Sequence, residues 1–360
     1  MSTSKHLLIM AAGTGGHIIP GLAVAQEMQS RGWTVSWLGT SHGMENKLVP
    51  PAHIPLDTIT FSGLRGKGLL HTMTGGLRLL FAFWSCLQII RRRRANVVLG
   101  MGGYVCFPGG LMASLLNKPL LLVNADAALL MSNKSLLPVA DKVAFGFEGP
   151  AVGKVKQGVV TGNPVRAEIE NLPRPEQRFA GRSGPLRILV VGGSLGAKAL
   201  NEALPAAASL LDSDQRPTIT HQTGVANFET VQAAYVASHL QAEVLPFIDN
   251  MAERLAACDV IVCRAGAITV SELCAAGVAS VLVPLVVSTT SHQRDNAMWL
   301  AAQGAAIHLP QAELSAKNLA DLLKSLTRET LLTMATKARA LAKPKAAARV
   351  ADELERLVVA

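Results

Sequence analysis

The sequence predicts an α/β protein of two domains, each a parallel sheet covered by helices. Three observations carry this. Continuous aliphatic runs alternate with helical stretches, the pattern of buried parallel strands joined by crossover helices. Hydrophobic residues are 49% of the 360 and aromatics only 4%, so the cores are aliphatic. The strand, glycine turn and helix at the start are echoed after Leu186, and the length suits about two domains.

In the first domain, Leu7-Leu8-Ile9-Met10 reads as a buried strand that runs into Ala11-Ala12-Gly13-Thr14-Gly15-Gly16-His17. A helix follows, with Pro20 expected in its first turn. Glycines there uncover amide N–H groups, and the helix start adds partial positive charge, which favours a phosphate or another anion. A tight turn that binds nothing is the plainer alternative. Further strands are expected over 34–39, 57–61, 96–99, 119–123 and 142–145, with glycine turns at Gly100-Met101-Gly102-Gly103-Tyr104 and Pro108-Gly109-Gly110.

Residues 69–90 are mostly apolar and lead into Arg91-Arg92-Arg93-Arg94. The length would allow a membrane span, but Gly75, Gly76, Arg78 and Gln88 interrupt it. As a helix from Leu77, it places Leu77, Leu80, Phe81, Trp84 and Leu87 on one face and Arg78, Ser85 and Arg92 on another. Such a face, with Arg91 and Arg92 beside it, suits a helix lying on an anionic membrane surface. A core helix with a solvated basic end is the alternative. The net charge of +9 also points to anionic partners. Aromatic residues do not interleave with the basic ones, which argues against nucleic acid.

The pattern loosens near Asn163-Pro164-Val165-Arg166, and 173–178 reads as a linker. Alternation restarts at Leu186, with a strand running into Gly192-Gly193-Ser194-Leu195-Gly196-Ala197. Strands follow over 218–221, 243–246, 260–263, 280–283 and near 306–309, and an amphipathic helix covers 347–358. Arg264-Ala265-Gly266 opens another helix, in which Glu272 is either an acceptor for sugar hydroxyls or an acid favourably near a helix start. The five cysteines have apolar neighbours and no Cys-x-x-Cys spacing, which predicts buried thiols and no zinc. The short N-terminal apolar run is a strand rather than a secretion signal, so residence in the cytoplasm is expected.

Dinucleotide binding fails on detail. Ile18 stands where the third glycine should sit, and the second strand ends in Gly39-Thr40 with no carboxylate for a ribose. Several phosphate-cradling turns on two domains fit a diphosphate-linked ligand instead. No Asp-x-Asp motif stands out for a metal, so helix ends, amides and Arg166 would neutralise the diphosphate.

Six segments in order resemble the MurG family. They are Gly13-Thr14-Gly15-Gly16-His17, Ser62-Gly63-Leu64-Arg65-Gly66-Lys67-Gly68, Gly100-Met101-Gly102-Gly103-Tyr104, Gly162-Asn163-Pro164-Val165-Arg166, Gly192-Gly193-Ser194 and Cys263-Arg264-Ala265-Gly266. These bacterial transferases add N-acetylglucosamine to lipid I in peptidoglycan synthesis. The resemblance implies the GT-B fold: two Rossmann-like domains whose parallel sheets face an interdomain cleft. Residues 1–163 would form the acceptor and membrane-docking domain, 164–343 would bind UDP-N-acetylglucosamine, and 344–360 would pack back on the first domain.

By position, the resemblance puts the nucleotide sugar at Ser194, at backbone of Ile248, at the helix start Ala267, Ile268, Thr269, Val270, Ser271 and Glu272, and at Gln293 and Arg166. Thr14, Gly15 and Gly16 would reach the sugar from the other wall, while Gly13, Gly102, Gly103 and Tyr104 would hold the acceptor diphosphate. His17 is the candidate general base, with a packing or capping histidine as its alternative. The chain departs from the family where many members carry His-Glu-Gln-Asn. It has Val123-Asn124-Ala125-Asp126, so Asp126 stands at the usual ligand-contacting asparagine. Ser288-Thr289-Thr290-Ser291 likewise replaces a more charged family loop.

The implied reaction is inverting transfer from UDP-N-acetylglucosamine to the 4-hydroxyl of the lipid I muramyl sugar. No cofactor or metal is implied. The site of action would be the cytoplasmic face of the cell membrane, peripherally bound, with room for protein partners from cell-wall synthesis. Two other readings stay open: another nucleotide-sugar enzyme, such as a glycolipid transferase or an epimerase, and a non-catalytic sensor of the nucleotide sugar.

Overall fold

The computed structural model describes residues 4–61, 69–285 and 291–359, with backbone alone for 69–75 and 77. The motif 62–68 and Ser288, Thr289 and Thr290 lie outside the described residues. The chain divides into two units, 1–165 with 345–360, and 166–344.

The first unit runs β1 (His6–Ala11), α1 (Gly15–Ser30), β2 (Thr34–Thr40), α2 (Glu45–Leu48), β3 (Leu56–Ile59), α3 (Leu69–Arg93), β4 (Val97–Gly102), α4 (Cys106–Leu115), β5 (Leu120–Asn124), α5 (Met131–Leu136), β6 (Lys142–Phe145), α6 (Pro150–Gly153) and β7 (Gly158–Val160). The second runs α7 (Ala167–Glu170), α8 (Pro175–Phe179), β8 (Arg187–Val191), α9 (Lys198–Ser209), β9 (Thr218–Gln222), α10 (Phe228–Ala237), β10 (Ala242–Leu245), α11 (Met251–Ala257), β11 (Val260–Cys263), α12 (Ala267–Ala276), β12 (Ala279–Leu282), α13 (His292–Ala302), β13 (Ile307–His308), α14 (Ala316–Ser325) and α15 (Arg328–Ala340). The last helix, α16 (Ala346–Val359), belongs to the first unit.

Among the described residues the first sheet has the order β3-β2-β1-β4-β5-β6-β7 and the second β10-β9-β8-β11-β12-β13. Every pairing is parallel. The period of two in β1 shows why its run is apolar throughout. Leu7 and Ile9 face Val24 and Met28 of α1 and Val350 and Leu354 of α16. Leu8 and Met10 face Ala82, Cys86 and Ile90 of α3 on the other side. Arg31 at the end of α1 ties α16 down, its Nη1 lying 2.7 Å from Asp352 and 2.8 Å from Glu355.

Three expectations are corrected. Pro20 lies inside α1 rather than in its first turn, because the helix already begins at Gly15; the Gly16 carbonyl therefore lacks its helical donor. Pro108-Gly109-Gly110 is helix, not turn: it lies buried in α4, where a Cβ on Gly109 would sit 2.2 Å from the Met10 sulfur. Gly109 thus serves close packing of α4 on β1, and Gly110 close packing on Leu136 and Leu120. The expected linker at 173–178 instead contributes α8, which packs against α15 within the second unit. Strand β7 was not expected, since Gly158-Val159-Val160 is too short to show a period.

A buried polar chain supports the second sheet. The His221 ring nitrogens lie 3.0 Å from Tyr235 OH and 3.1 Å from Asn201 Oδ1, and Asn201 Nδ2 donates to the Thr223 carbonyl at 3.1 Å. Burial pushes the His221 pKa from 6.5 down to about 4. The folded value lies below the unfolded one, so this contribution to stability is complete above pH 6.5 and is lost as pH falls toward 4. Urea unfolding of the second unit is expected to show that decline. His221→Gln should flatten it.

Candidate active site

In open parallel sheets the ligand crevice lies outside the carboxyl ends of the strands, where the strand order reverses. That point falls between β1 and β4 in the first unit and between β8 and β11 in the second. The turns the sequence singled out stand at both.

In the first unit, β1 ends at Ala11, whose carbonyl accepts the buried Trp37 Nε1–H at 2.9 Å. Thr14 is the N-cap of α1 with extended backbone. The N–H groups of Gly15 and Gly16 open the helix and have no carbonyl within it to bond. His17 follows, half-buried, its Nδ1 3.4 Å from the Ala12 carbonyl. Its ring lies over the end of β4. A Cβ on Gly102 would sit 2.7 Å from Cδ2 and 2.8 Å from Nε2 of that ring, and one on Gly103 would sit 2.5 Å from the Ala12 carbonyl oxygen. Both glycines have positive φ, +127° and +89°. Their absence of side chains is what lets the two turns close on one another.

The structure thus brings Thr14, Gly15, Gly16, His17, Gly102 and Gly103 together. Gly13 is different: its N–H donates to Glu45 Oε2 at 3.0 Å, and its carbonyl accepts the Met44 N–H at 3.2 Å. Its own amide is therefore turned toward the protein. A cavity of about 460 Å³ opens beside it, lined by Ala12, Gly13, Thr40, Ser41, His42, Gly43, Thr60, Phe61, Arg78 and Tyr104. Sequence reasoning found Gly13 and Tyr104 here and missed Thr40, Ser41, His42 and Thr60. Arg78 had been placed only on a polar helix face.

Asp126 sits half-buried in the loop after β5, which three asparagines shape. Asn124 Nδ2 donates to the Asp126 and Ala128 carbonyls, at 2.8 and 3.0 Å, and its Oδ1 accepts the Leu130 N–H at 2.9 Å. Asn133 donates to the Val123 carbonyl at 3.1 Å, and Asn163 to that of Ala125 at 2.8 Å. The side chain of Asn124 is thus spent on shaping the loop.

On α3 part of the expected apolar face is at the surface: Leu80, Phe81 and Trp84 are 64, 69 and 60% exposed, while Leu87 is half-buried. The opposite side, with Ala82, Cys86 and Ile90, is buried against the sheet. The side chain of Leu77 lies outside the described residues. Arg91 is exposed, whereas Arg92 pairs with Asp57 at 2.5 Å, which offsets part of its charge. Among the described residues no helix is long and apolar enough to cross a membrane.

In the second unit, exposed Ser194 lies in the β8–α9 turn. The Gly193 carbonyl there accepts Gln222 Nε2–H at 3.0 Å. Gly196, with φ +75°, lets this turn press on the next: a Cβ would sit 1.8 Å from the Thr223 carbonyl oxygen. Ile248 follows β10 with its side chain buried, which leaves backbone to meet a ligand. The first-turn N–H groups of Ala267, Ile268 and Thr269 point out of the start of α12. Asn296 on α13 donates to the Ala265 carbonyl at 3.1 Å and fixes the turn before it. Val270 and Ser271 turn inward instead. The Val270 N–H is spent on the Gly266 carbonyl, and Ser271 Oγ donates to the Ala267 carbonyl. Glu272 Oε1 accepts Arg166 Nε–H at 2.8 Å. Gln293 Oε1 accepts the Leu285 N–H at 2.9 Å, so its NH2 is the group it can present to a ligand. Among the described residues no cluster of His, Cys, Asp or Glu could hold a metal.

Two parallel-sheet units, each with anion-favouring turns at its switch point, have the architecture of the GT-B class. The glycosyltransferase family 28 N-terminal domain matches residues 7–145, and the family 28 C-terminal domain matches residues 187–353. A protein of Methylibium petroleiphilum is 70% identical over 99% of this chain and 98% of its own length. One of Chromobacterium violaceum is 64% identical over 98% and 99%. Both are named UDP-N-acetylglucosamine–N-acetylmuramyl-(pentapeptide) pyrophosphoryl-undecaprenol N-acetylglucosamine transferase. The crystal structure of Acinetobacter baumannii MurG superposes with a TM-score of 0.85 at 39% identity, covering 98% of this chain and 99% of that one. The chain belongs to the MurG family of these transferases.

Proposed function

We propose that the chain carries out the family's transfer with the acceptor on the first unit and UDP-N-acetylglucosamine on the second. The chain is a UDP-N-acetylglucosamine-dependent glycosyltransferase of peptidoglycan synthesis that converts lipid I to lipid II. The observation that supports a ligand on each unit is the position of the candidate residues at the switch point of each sheet.

The 4-hydroxyl of the acceptor's muramyl sugar attacks the anomeric carbon, and UDP leaves from the opposite face. With the His17 Nδ1–H donated to the Ala12 carbonyl, Nε2 is the acceptor for the hydroxyl proton. The Thr14, Gly15 and Gly16 amides meet the sugar, while the Gly102 and Gly103 turn, Tyr104 and the Arg78 side of the cavity meet the acceptor diphosphate. On the donor, Ser194 and the N–H groups of Ala267, Ile268 and Thr269 receive the charge that builds on the leaving diphosphate. Glu272 accepts the ribose hydroxyls, the Gln293 NH2 meets the sugar, and Ile248 backbone meets uracil. Asp126 contributes to the sugar side through its loop.

Transfer from radiolabelled UDP-N-acetylglucosamine to a lipid I analogue tests the reading. Labelled disaccharide lipid is the expected product. Sugar interconversion without acceptor would indicate an epimerase, and binding without turnover a sensor.

A lipid-linked acceptor also gives the exposed face of α3 a purpose. Leu80, Phe81 and Trp84, with Arg91 nearby, would seat the first unit peripherally on the anionic cytoplasmic face of the membrane. Phe81→Asp with Trp84→Asp is expected to weaken binding to anionic phospholipid vesicles about tenfold or more, with the far-UV spectrum unchanged. Unaltered vesicle binding would refute the assignment.

A further inference from the structure

We propose that Glu45 is a positioning residue for the transfer: its buried carboxylate locks the β1–α1 turn so that His17 meets the acceptor in a fixed geometry. This rests on the reading of His17 as the base. Glu45 opens α2 and is fully buried. Its Oε2 accepts the Gly13 N–H at 3.0 Å, and its Oε1 accepts both the N–H and the hydroxyl of Thr40 at 2.7 Å. With the Met44 N–H on the Gly13 carbonyl, both backbone groups of Gly13 are bound to consecutive residues of the facing loop. Room for the carboxylate is built into the backbone. A Cβ on Gly39 would lie 2.6 Å from Glu45 Cγ, and one on Gly43 1.9 Å from Oε2.

A buried anion is a costly way to hold a turn, since a neutral side chain can accept from an amide without losing the hydration of a charge. What it adds is strength, because charge-assisted hydrogen bonds are roughly twice as strong as neutral ones. Burial alone would raise the Glu45 pKa, but the hydrogen bonds from Thr40 and Gly13 outweigh it and hold it below the ordinary value. The carboxylate is therefore ionised at neutral pH.

The start of α1 needs such an anchor. Its N-cap Thr14 makes no side-chain capping bond, and Pro20 removes the donor for the Gly16 carbonyl. The direction of that first turn, and with it the place of His17, is set by the residue before it. A misplacement of about 1 Å at a reacting group can cost on the order of 10²-fold in rate.

Glu45→Gln keeps the shape but sets an NH2 against one of the three donors. Its kcat is expected to fall by about 10- to 100-fold, with UDP affinity and the KM for UDP-N-acetylglucosamine within about twofold of wild type. In a His17→Ala background the same substitution is expected to cost less than about threefold, because the base it positions is gone. Thr40→Val removes only the hydroxyl donor and should show the same pattern at smaller size; it carries the test if Glu45→Gln fails to fold. A wild-type kcat in the tested variant overturns the proposal. So does an equal loss in both backgrounds, which marks a general loss of folded enzyme. A near-normal kcat in His17→Ala alone, scored separately, removes the base reading and this proposal with it.

Discussion

His17→Ala is expected to lower kcat by about 10²- to 10⁴-fold, the usual range for losing a positioned general base. UDP affinity should stay within about twofold, because the candidate nucleotide contacts are on the second unit. The structure offers two reasons to read this histidine as more than a packing residue. Its Nδ1 faces a backbone carbonyl, which selects the tautomer with Nε2 open to a proton. The glycine at 102 leaves the ring its place, since any side chain there would enter the imidazole. Gly102→Ala is therefore a companion test: a methyl group would push on the ring in a backbone conformation that L side chains rarely adopt. It should lower kcat in the same direction. A His17→Ala enzyme with near-normal kcat would sink the assignment, whatever the effect of Gly102→Ala.

The strands were legible because parallel strands covered on both faces are apolar without interruption, and β1, β4, β5 and β11 are of that kind. The glycine turns were legible because a strand, a glycine and a helix start come in sequence. What could not be read is whatever depends on two distant segments meeting. Strand order is one such feature, and it decides which turns share a switch point. Glu45 is another. In sequence it is one acid in a short helix, and its meaning comes from the Gly13 amide 32 positions away. The pairing of Arg92 with Asp57, 35 positions apart, reduced the basic cluster in the same way. Pro108-Gly109-Gly110 misled because composition alone does not separate a glycine that turns the chain from one that lets a helix approach a strand. At α12 the sequence suggests one contact surface over 267–272, yet a helix sends successive side chains around its axis. Val270 and Ser271 accordingly face the core, while Glu272 does not.

Glu272→Ala is expected to weaken UDP binding on the order of 10²-fold. Two ribose hydroxyls donating to a carboxylate contribute roughly 1.5 kcal/mol each at the lower end for charged hydrogen bonds, and about 3 kcal/mol is that factor. Glu272→Gln, which keeps an acceptor but loses the charge, should cost about tenfold. The pair with Glu272 leads us to expect that Arg166 acts through the carboxylate rather than beside it. Its Nε holds Oε1 at 2.8 Å, with the two side chains 33 and 15% exposed, so the acid is presented in one orientation in the second turn of α12. Arg166→Ala should thus weaken UDP binding by a smaller factor, through a carboxylate that has lost its brace. Isothermal titration of UDP against both single variants and the double variant separates the roles. If Arg166 acts through Glu272, the double variant binds no worse than Glu272→Ala alone. Fully additive losses would instead make Arg166 an independent contact to the nucleotide sugar, with the 2.8 Å pair incidental to it.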